Sequence, residues 1–463
     1  MNYRTEKDCI GERDIPVDCL YGIHTSRAID NFSVSNKCVN LNLIHAIVEI
    51  KKAAAITHSQ NGTMDSKKAS LIIEACDEIL LGIHDDSFIT CAIQGGAGTS
   101  TNMNVNEVIA NIAIKKANGK CGDYAIVHPL NDVNLSQSTN DVYPTALRVA
   151  AIKLLRTLSD EFAELQTELQ KKENEYSDVI KLGRTQLMDA LPIMVGQEFG
   201  AYAQAIGRDR WRVYKVEERL RQVNLGGTAI GTGMNADRQF IFTIIEVLRD
   251  LTGLGLAKAE FPIDLTQNND VFVEVSGILK ASATNLIKIA NDLRLMNSGP
   301  RGGLGEITLE EVQAGSSIMP GKINPVIPEM VVQVGIKVIA NDSAITTAAC
   351  YGQLELNAFT PIIAESLLES LELLINTVKT FIKCIRNLKV NEDRCKEHLL
   401  NSTALVTALT TYIGYDKAAE IAKEALSMNK TVKDIVLEHN LIDEAKLDSI
   451  LDPFQITKPG IPG

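Results

Sequence analysis

The feature that most constrains the fold is a run of apolar residues that recurs at steps of three and four beyond Asp141. This run consists of Leu147, Ala151, Leu154, Leu155, Leu158, Phe162, Leu165 and Leu169. Such spacing places apolar side chains on one face of an α-helix, so one long amphipathic helix is predicted to about Glu173. Thr139 or Asn140 is expected as its N-cap, because a short polar side chain can accept a hydrogen bond from a free backbone N–H there.

Similar patterns predict further helices along the chain. Long ones are expected at 192–223, 236–253, 265–297, 325–349 and 360–388, and short ones at 391–400, 415–428 and 443–451. The stretch Val271–Leu295 is apolar around most of its circumference, which indicates a core larger than one chain supplies. The sequence therefore predicts a mainly α protein that associates with copies of itself. A monomer whose other domains cover those faces is the alternative.

The length and these patterns predict three structural units. We expect an N-terminal mixed helical domain at 1–136, a central long-helix bundle at 137–392 and a small C-terminal helical domain at 393–463. The 58 acidic against 46 basic residues give a net charge of −12, and no basic cluster stands out. Partnership with nucleic acid or an anionic membrane is therefore not expected.

Cysteine, histidine and hydropathy patterns narrow the class further. The nine cysteines form no C-x-x-C pair, which favours reduced thiols in a cytoplasmic protein. The seven histidines show no metal-binding spacing, so a protein-ligated transition metal is not expected. No apolar run reaches the roughly 18 residues of a membrane span, and the N-terminus lacks the apolar core of a signal peptide.

Two polar clusters precede predicted helices in the first half of the chain. In Gly95–Asn104 the glycines allow backbone N–H groups to approach a ligand, and Thr99 adds a hydroxyl. No lysine follows as in a nucleotide-binding loop, and a structural turn is the simpler alternative. Ser136–Asp141 lies at the start of the long helix, where free N–H donors and a partial positive charge suit a carboxylate. Simple helix capping is the alternative there.

A third cluster, Gly183–Pro192, stands before another predicted helix, with Pro192 expected in the first helical turn. A local salt bridge between Arg184 and Asp189 is an alternative role for its charged residues. The fourth cluster, Gly315–Pro325, combines two hydroxyls, an ammonium and an amide with glycine and proline hinges. Such a loop can close over a small anion, although an ordinary surface turn is also possible.

The fourth cluster also suggests a chemistry. A serine hydroxyl acts as a base only when its alkoxide is stabilised, which an ammonium and oriented backbone N–H groups can do. Ser316 and Lys322 provide the hydroxyl and the ammonium. Many neutral donors and few cations suit a small dicarboxylate and proton removal beside its carboxylate, where charge builds up on an enolate.

The clusters, in this order and at these separations, resemble those of the aspartase/fumarase superfamily. The family's signature loop G-S-S-x-M-P-x-K-x-N-P matches residues 315–325. Further matches are Gly11–Arg13, Tyr21–Thr25, Gly95–Asn104, Ser136–Asp141, Gly183–Pro192 and Asn224–Gly233. The resemblance covers essentially the whole chain, and its motifs are long and specific.

The resemblance implies a homotetramer with a core of twenty helices and active sites that combine clusters from three subunits. It implies that Ser316 removes the proton from the substrate Cβ, and that Lys322 and Asn324 hold the α-carboxylate. It places the remaining substrate-binding positions around the β-carboxylate or the amine: Thr99, Ser138, Thr139, Asn140, Thr185 and Gln186. The loop at 312–325 would act as a lid. No organic cofactor is implied, and no sequence feature argues for or against activation by a divalent cation.

Within the family, the sequence resembles the branch that deaminates aspartate to fumarate and ammonia more than the branch that hydrates fumarate. Gln186 stands where the hydratases typically carry histidine, and Tyr21–Phe32 and Asn324–Glu329 also resemble the aspartate branch. Thr360 and Thr410-Thr411 depart from that branch. A fumarate hydratase, an amine-eliminating lyase for another amino acid or betaine, and a catalytically silent crystallin-like protein are the alternatives.

Overall fold

The computed structural model describes residues 2–463, and this part of the chain is mainly α-helical, as the sequence predicted. Its strands are β1 (Tyr3–Lys7), β2 (Glu12–Pro16), β3 (Ile180–Thr185), β4 (Met188–Met194), β5 (Gln222–Val223), β6 (Ala257–Lys258), β7 (Ile307–Thr308) and β8 (Lys389–Val390). They pair as β1–β2, β3–β4, β5–β6 and β7–β8, and only β5–β6 is parallel.

Helices supply the rest of the regular structure. The α-helices up to the end of the longest stretch are α1 (Ile23–Asn31), α2 (Leu41–Gln60), α3 (Ser66–Leu80), α4 (Thr99–Lys116), α5 (Thr139–Glu175), α6 (Val195–Leu220), α7 (Arg238–Thr252), α8 (Pro262–Gln267), α9 (Asp270–Met296), α10 (Val326–Ala349) and α11 (Thr360–Asn387). The later ones are α12 (Glu392–Leu400), α13 (Thr410–Ile413), α14 (Tyr415–Met428), α15 (Val432–Glu438), α16 (Glu444–Ile450) and α17 (Pro453–Ile456). Short 3-10 or π-helical turns lie at Asp85–Ser87, Pro129–Val133 and Thr403–Leu409.

The chain forms two compact units that interleave in sequence. Unit 1 comprises the chain up to Ser159, Trp211–Ala283 and Ile336–Ile375. Unit 2 comprises Asp160–Arg210, Thr284–Gly335 and Asn376–Gly463. The unit boundaries fall inside α5, α6, α9, α10 and α11. The division into three consecutive domains stays a prediction.

The long helices follow the predicted periodicity closely. In α5 the stripe of Leu147, Leu158, Phe162 and Leu165 is fully buried, so the spacing found in sequence is the core-facing face. In α9, which the sequence predicts to be apolar around most of its circumference, the buried residues form one stripe instead, which includes Phe272, Leu279 and Leu286.

Two predicted helix boundaries were wrong. The segment 265–297 is not one helix, because Asn268 is extended (φ −102°, ψ 133°) and separates α8 from α9. Pro192 is not in a first helical turn; it lies in β4 opposite Leu182 of β3, and α6 begins only at Val195. The prediction assumed that proline marks a helix start, whereas here hairpin pairing extends the strand past it.

Candidate active site

A cavity of about 760 Å³ in unit 1 collects much of the predicted polar set. Thr99, Ser138, Thr139 and Asn140 all line it. The other lining residues are His24, Asn102, Met103, Leu130, Asn134, Ser136, Gln137, Thr228, Ala229, Ile230, Thr232, Met234 and Asn235. Most of the polar groups are hydroxyls and amides, which can donate to a small anion without carrying charge themselves.

The glycine-rich loop brings Thr99 to this cavity. Gly96, Ala97 and Gly98 all have positive φ (86°, 54° and 89°), and α4 begins immediately afterwards at Thr99. A Cβ on Gly98 would overlap the buried ring of Tyr143, so only glycine fits at this position. Thr99 Oγ1 donates to the carbonyl of Gly96 over 2.7 Å, which ties the helix start to the loop.

Ser138 caps the longest helix, which corrects the predicted N-cap at Thr139 or Asn140. Its Oγ accepts from Asn140 N at 3.2 Å, and its own N–H donates to Asp141 Oδ1 at 3.0 Å. In this reciprocal arrangement the capping side chain belongs to the residue immediately before the first helical residue. Because residues 136–141 are all polar, the sequence did not show which of them holds that position.

Asp141 links this helix start to the Asn224–Gly233 loop. Its carboxylate is fully buried, and Oδ2 accepts from Gly226 N at 3.1 Å and from Thr228 N at 2.9 Å. Burial raises the pKa of Asp141 to about 6, against the lowering effect of these hydrogen bonds. The loop that carries Thr228 is therefore fixed against the same helix end as Ser138.

A buried lysine lies behind the Ser136–Asp141 cluster. Lys51 of α2 is 1% exposed, and its Nζ donates to Asn134 Oδ1 and to Gln137 Oε1, both at 2.9 Å. Burial lowers the pKa of Lys51 to about 7. Asn102 Nδ2 donates to Asn134 Oδ1 at 3.1 Å and to Thr139 Oγ1 at 3.2 Å, so the network reaches a cavity hydroxyl.

A second buried carboxylate holds the loop that carries His24. Glu107 of α4 accepts from Gly22 N and His24 N, each at 2.8 Å, and from the Thr25 hydroxyl at 2.6 Å. Burial raises the pKa of Glu107, and these donors oppose the rise. His24 lines the cavity because the backbone on both sides of it is anchored in this way.

Asn140 stands between this cavity and a small void behind it. Its Nδ2 donates to Ala229 O at 2.7 Å, and its carbonyl accepts from Asn224 Nδ2 at 3.0 Å. Asn140 also lines the void together with Asn269 and Thr360, the residue that departs from the family pattern. Thr360 Oγ1 is buried and has no hydrogen-bond partner. Because Thr360 shares this void with Asn140, it lies next to a residue that lines the larger cavity.

The predicted residues Thr185 and Gln186 belong to unit 2, where they form the turn between β3 and β4. Gln186 and Leu187 have positive φ (55° and 63°), as a tight two-residue hairpin turn requires. Both Thr185 and Gln186 are exposed. The turn therefore presents its polar side chains to the outside of this unit.

The proposed Arg184–Asp189 salt bridge was wrong. Arg184 Nη1 donates to Glu306 Oε1 at 2.7 Å, and its Nη2 lies 2.9 Å from His398 Nδ1. Asp189 instead accepts from Ser402 Oγ at 2.7 Å. Both strands of the hairpin are thus attached to the segment around α12, which sequence neighbours could not reveal.

Glu306 is the centre of a buried charge cluster under the hairpin. It is fully buried, and besides Arg184 it pairs with Lys181, whose Nζ lies 3.0 Å from Oε2. Lys181 also donates to Glu198 Oε2 at 2.8 Å. Burial and the neighbouring guanidinium groups lower the pKa of His398, so neutral imidazole faces Arg184 at neutral pH.

The 315–325 loop, also in unit 2, is closed upon itself at its base. Gly315 N donates to Lys322 O at 2.8 Å, and Asn324 Nδ2 donates to Gly315 O at 2.7 Å. Ser316 Oγ accepts from the backbone N–H groups of Ile318 and Met319, at 3.2 and 2.9 Å. These donors are of the kind that would stabilise an alkoxide at Ser316.

The rest of this loop is open to solvent. Ile318 is 84% exposed, and Lys322 is exposed as well. Within residues 2–463 the ammonium of Lys322 forms no ion pair or hydrogen bond, so its charge is available to a ligand. The predicted site residues thus fall into three groups: the cavity set of unit 1, and the hairpin and the loop of unit 2.

The sequence interpretation missed several residues that shape the cavity. His24 and Thr228 lie in motifs that were recognised, but no role was assigned to either of them. Lys51 and Glu107 gave no sequence signal, because a charged residue within a helical pattern is normally solvent-exposed.

Comparison with known proteins defines the family to which the chain belongs. The model of a family described as Lyase matches residues 11–340, and a model described as Fumarase C C-terminus matches residues 405–458. The chain therefore belongs to this lyase family, the aspartase/fumarase superfamily that its motifs resemble.

Individual relatives match over their full lengths. The aspartate ammonia-lyase of Bacillus subtilis (strain 168) is 45% identical and is aligned over 100% of this chain and 97% of its own length. The aspartate ammonia-lyase of Helicobacter pylori (strain J99) is 44% identical, with 98% of each protein covered. A solved fumarate lyase:delta crystallin from Brucella melitensis superposes with a TM-score of 0.95 at 45% identity, covering 99% of this chain and 100% of that one. A class II fumarase from Schistosoma mansoni gives 0.94 at 34% identity with the same coverage.

Proposed function

We propose that this protein is a carbon–nitrogen lyase that converts L-aspartate reversibly to fumarate and ammonia. The observation that carries this proposal is the full-length identity of 44–45% to several proteins named aspartate ammonia-lyase. The polar groups fit such a substrate: neutral donors around a cavity in unit 1, and a serine and a free lysine in the same loop of unit 2.

In the proposed reaction Ser316 removes a proton from Cβ of the substrate. The charge moves onto the neighbouring carboxylate and forms an enediolate, and ammonia then leaves from Cα. Lys322 and Asn324 hold the α-carboxylate, because an ammonium and an amide N–H both bind carboxylate oxygens. Donors that strengthen their bonds as the enediolate forms lower the barrier more than those that bind the substrate alone.

The proposal assigns the opposite side of the substrate to the hydroxyl and amide groups. These are Thr99, Ser138, Thr139 and Asn140, with Thr185 and Gln186 from the hairpin. They surround the β-carboxylate or the amine. The 312–325 segment closes over the bound substrate and excludes water, which its exposure and its glycine hinges support.

We further propose a homotetramer with a core of twenty helices, in which each site takes its three groups from different subunits. Large apolar side chains that remain exposed on long helices support this: Trp211 (61%), Tyr214 (65%), Phe242 (67%) and Ile336 (58%). Sedimentation should give four times the chain mass. Mixing inactive Ser316→Ala chains with inactive Ser138→Ala chains, with refolding, should restore part of the activity if sites are composite. Persistent inactivity of the refolded mixture would argue against shared sites.

The decisive test is a substrate panel with purified protein. L-aspartate should yield fumarate, detected by its ultraviolet absorbance, and one equivalent of ammonia. Absence of fumarate from aspartate would contradict the proposal. No organic cofactor is part of it, and the reaction should proceed in buffer with substrate alone.

Fumarate hydratase is the second candidate. The match of residues 405–458 to the Fumarase C C-terminus and the similarity to a class II fumarase favour it. Offering malate and aspartate side by side distinguishes the two, since a hydratase releases fumarate only from malate. Thr360 behind Asn140 motivates the inclusion of other amino acids and a betaine in the panel. A crystallin-like protein would act on none of them.

The proposed setting is the cytoplasm. The nine cysteines, all free thiols in the structure, support a reducing compartment. Among residues 2–463, no helix is both long and apolar enough to span a membrane.

A further inference from the structure

Two free cysteines stand directly opposite each other next to the glycine-rich loop of unit 1. Cys38, which precedes α2, and Cys91, which precedes the Gly95–Asn104 cluster, form an isolated antiparallel bridge. Neither residue has a role in the proposed reaction.

The backbone hydrogen bonds around the pair define its geometry. Val39 N donates to Thr90 O at 3.1 Å, and Ala92 N donates to Lys37 O at 2.9 Å. These bonds flank the two cysteines rather than joining them, so Cys38 and Cys91 are a non-hydrogen-bonded antiparallel pair. In such a pair the Cα atoms lie about 4.5 Å apart, and the side chains are on the same face. A disulfide requires about 4.4–6.8 Å between Cα atoms, so the backbone is already placed for one.

We propose that Cys38 and Cys91 are a site of reversible disulfide formation, whose oxidant is a small disulfide such as oxidised glutathione. In the first step one thiolate attacks the oxidant, forms a mixed disulfide and releases one molecule of small thiol. In the second step the other cysteine attacks the mixed disulfide and releases the second small thiol. The protein loses two electrons and two protons, and the oxidant takes them up.

The exposure of the two residues sets the order of these steps. Cys38 is exposed, whereas Cys91 is only partly accessible. An incoming oxidant therefore meets Cys38 first, and Cys91 acts as the resolving thiol.

The proposed Cys38–Cys91 disulfide is linked to the cavity through Gln94. Its Nε2 donates to Cys91 O at 2.5 Å, and its Oε1 accepts from Thr101 N and from Thr101 Oγ1, at 3.2 and 3.0 Å. Because Gln94 bridges the Cys91 backbone to the first turn of α4, a disulfide at Cys91 restrains the glycine loop between them. Thr99 at the end of that loop lines the cavity.

The test uses the full-length protein and needs no activity measurement. Reduced protein is incubated with oxidised glutathione, its remaining thiols are alkylated in denaturant, and it is digested without reductant for mass spectrometry. We expect a Cys38–Cys91 cross-linked peptide, loss of the free thiols of both residues, and full recovery with dithiothreitol. Cys38 and Cys91 that both remain alkylated, or that each carry a separate glutathione, would overturn the proposal.

Single substitutions test the order of the two steps. Cys91→Ser should accumulate glutathione on Cys38, because the resolving thiol is missing. Cys38→Ser should take up glutathione at Cys91 at least several-fold more slowly, and equal rates would overturn the order. Cys350→Ser is the matched control: it removes an exposed thiol and should leave the cross-link unchanged. Amide exchange at Gly95–Thr99 should slow in the oxidised protein, and unchanged exchange would overturn the coupling to the loop.

Discussion

In unit 1 the side chains that line the cavity rest on buried partners, whereas in unit 2 the loop that carries Ser316 is supported mainly by its own backbone. Lys51, Glu107 and Asp141 are almost fully buried, and each forms a hydrogen bond with a residue that lines the cavity. Ser316 accepts from two N–H groups of its own loop, in an exposed segment. The residues that line the cavity are therefore fixed by buried hydrogen bonds, whereas the 315–325 loop is exposed and the hydrogen bonds of Ser316 stay within it.

The hairpin of unit 2 lies between these extremes. Its turn is exposed, but Arg184 and Asp189 attach its strands to Glu306 and Ser402. The cavity side chains, the hairpin and the 315–325 loop therefore differ in how strongly the surrounding structure holds them. We expect substitutions in these three regions to differ in how much activity and how much stability they remove.

The largest effect on activity is expected at the loop. Ser316→Ala should lower kcat by about 10²–10⁴-fold or more, because the proposed general base is lost. The thermal midpoint should stay unchanged, since the serine hydroxyl supports nothing outside its loop. Ser317→Ala is the control and should keep near-normal turnover. If Ser316→Ala turned over at a similar rate, the assignment of the base would be wrong.

The largest effect on stability is expected under the hairpin. Glu306→Gln leaves Lys181 and Arg184 without their shared buried carboxylate, which should lower the free energy of unfolding by about 3–5 kcal/mol. Urea denaturation measures this loss, and KM for aspartate should rise as the turn loosens.

The control for this substitution lies in the same region. Glu397→Gln removes the exposed partner of Arg394 and should change stability by less than about 1 kcal/mol. If the two variants were equally stable, the cluster around Glu306 would not support the hairpin.

An intermediate effect on stability is expected at Lys51, which lies behind the Ser136–Asp141 cluster that lines the cavity. Lys51→Met leaves the Gln137 side-chain oxygen without its donor and removes one of the donors to Asn134 Oδ1, a loss of about 1–3 kcal/mol. An unfolded lysine titrates near 10.4 and the folded Lys51 at about 7, so the unfolded chain holds the extra proton between these values. The unfolding free energy of the parent protein should therefore gain up to about 1.4 kcal/mol per pH unit above pH 7 from this residue.

Urea midpoints at pH 7, 8 and 9 check this pH dependence. The gap between the parent protein and Lys51→Met should widen as the pH rises. Lys52→Met, on the same helix but ion-paired with Asp77 nearer the surface, should show no such trend. A gap that is constant with pH would mean that Lys51 stays charged in the folded protein.

The smallest effect is expected at the outer support of the hairpin. Ser402→Ala removes the hydrogen bond to Asp189 and the cap on Ala404 N, for a loss of about 1 kcal/mol in unfolding free energy. Ser427→Ala, whose hydroxyl bonds only a carbonyl of its own helix, should change less. If Ser402→Ala lowered the free energy of unfolding as much as Glu306→Gln, the buried charge cluster would not stabilise the hairpin more than this neutral hydrogen bond does.

Much of the helical framework could be predicted from the sequence, because each long helix carries its own periodic stripe. The prediction failed where an element depends on a distant partner. Pro192 was predicted to lie in the first turn of a helix, but its pairing with Leu182 makes it part of a strand. The break at Asn268 was missed although Gln267–Asp270 is a run of polar residues, in which asparagine favours a turn or a cap over a helix interior.

The candidate site divides in the same way. Local motifs identified Thr99, Ser138, Thr139 and Asn140, and the structure brings them to one cavity because the loops that carry them are anchored to α2, α4 and α5. Hydroxyl and amide runs beside glycine are visible in a sequence. Buried charges are not, since nothing local separates Lys51 from Lys52.

By itself the sequence determined the mainly helical class, the family and the residue types available for the chemistry, because these depend on periodicity and on contiguous motifs. Only the tertiary structure decided which residues hold those groups in place. Arg184 binds Glu306 rather than Asp189, and Ser138 rather than Asn140 caps the longest helix. The physical reason is that a buried charge or an orphaned N–H must find a partner in space, and that partner can lie more than a hundred residues away in the chain.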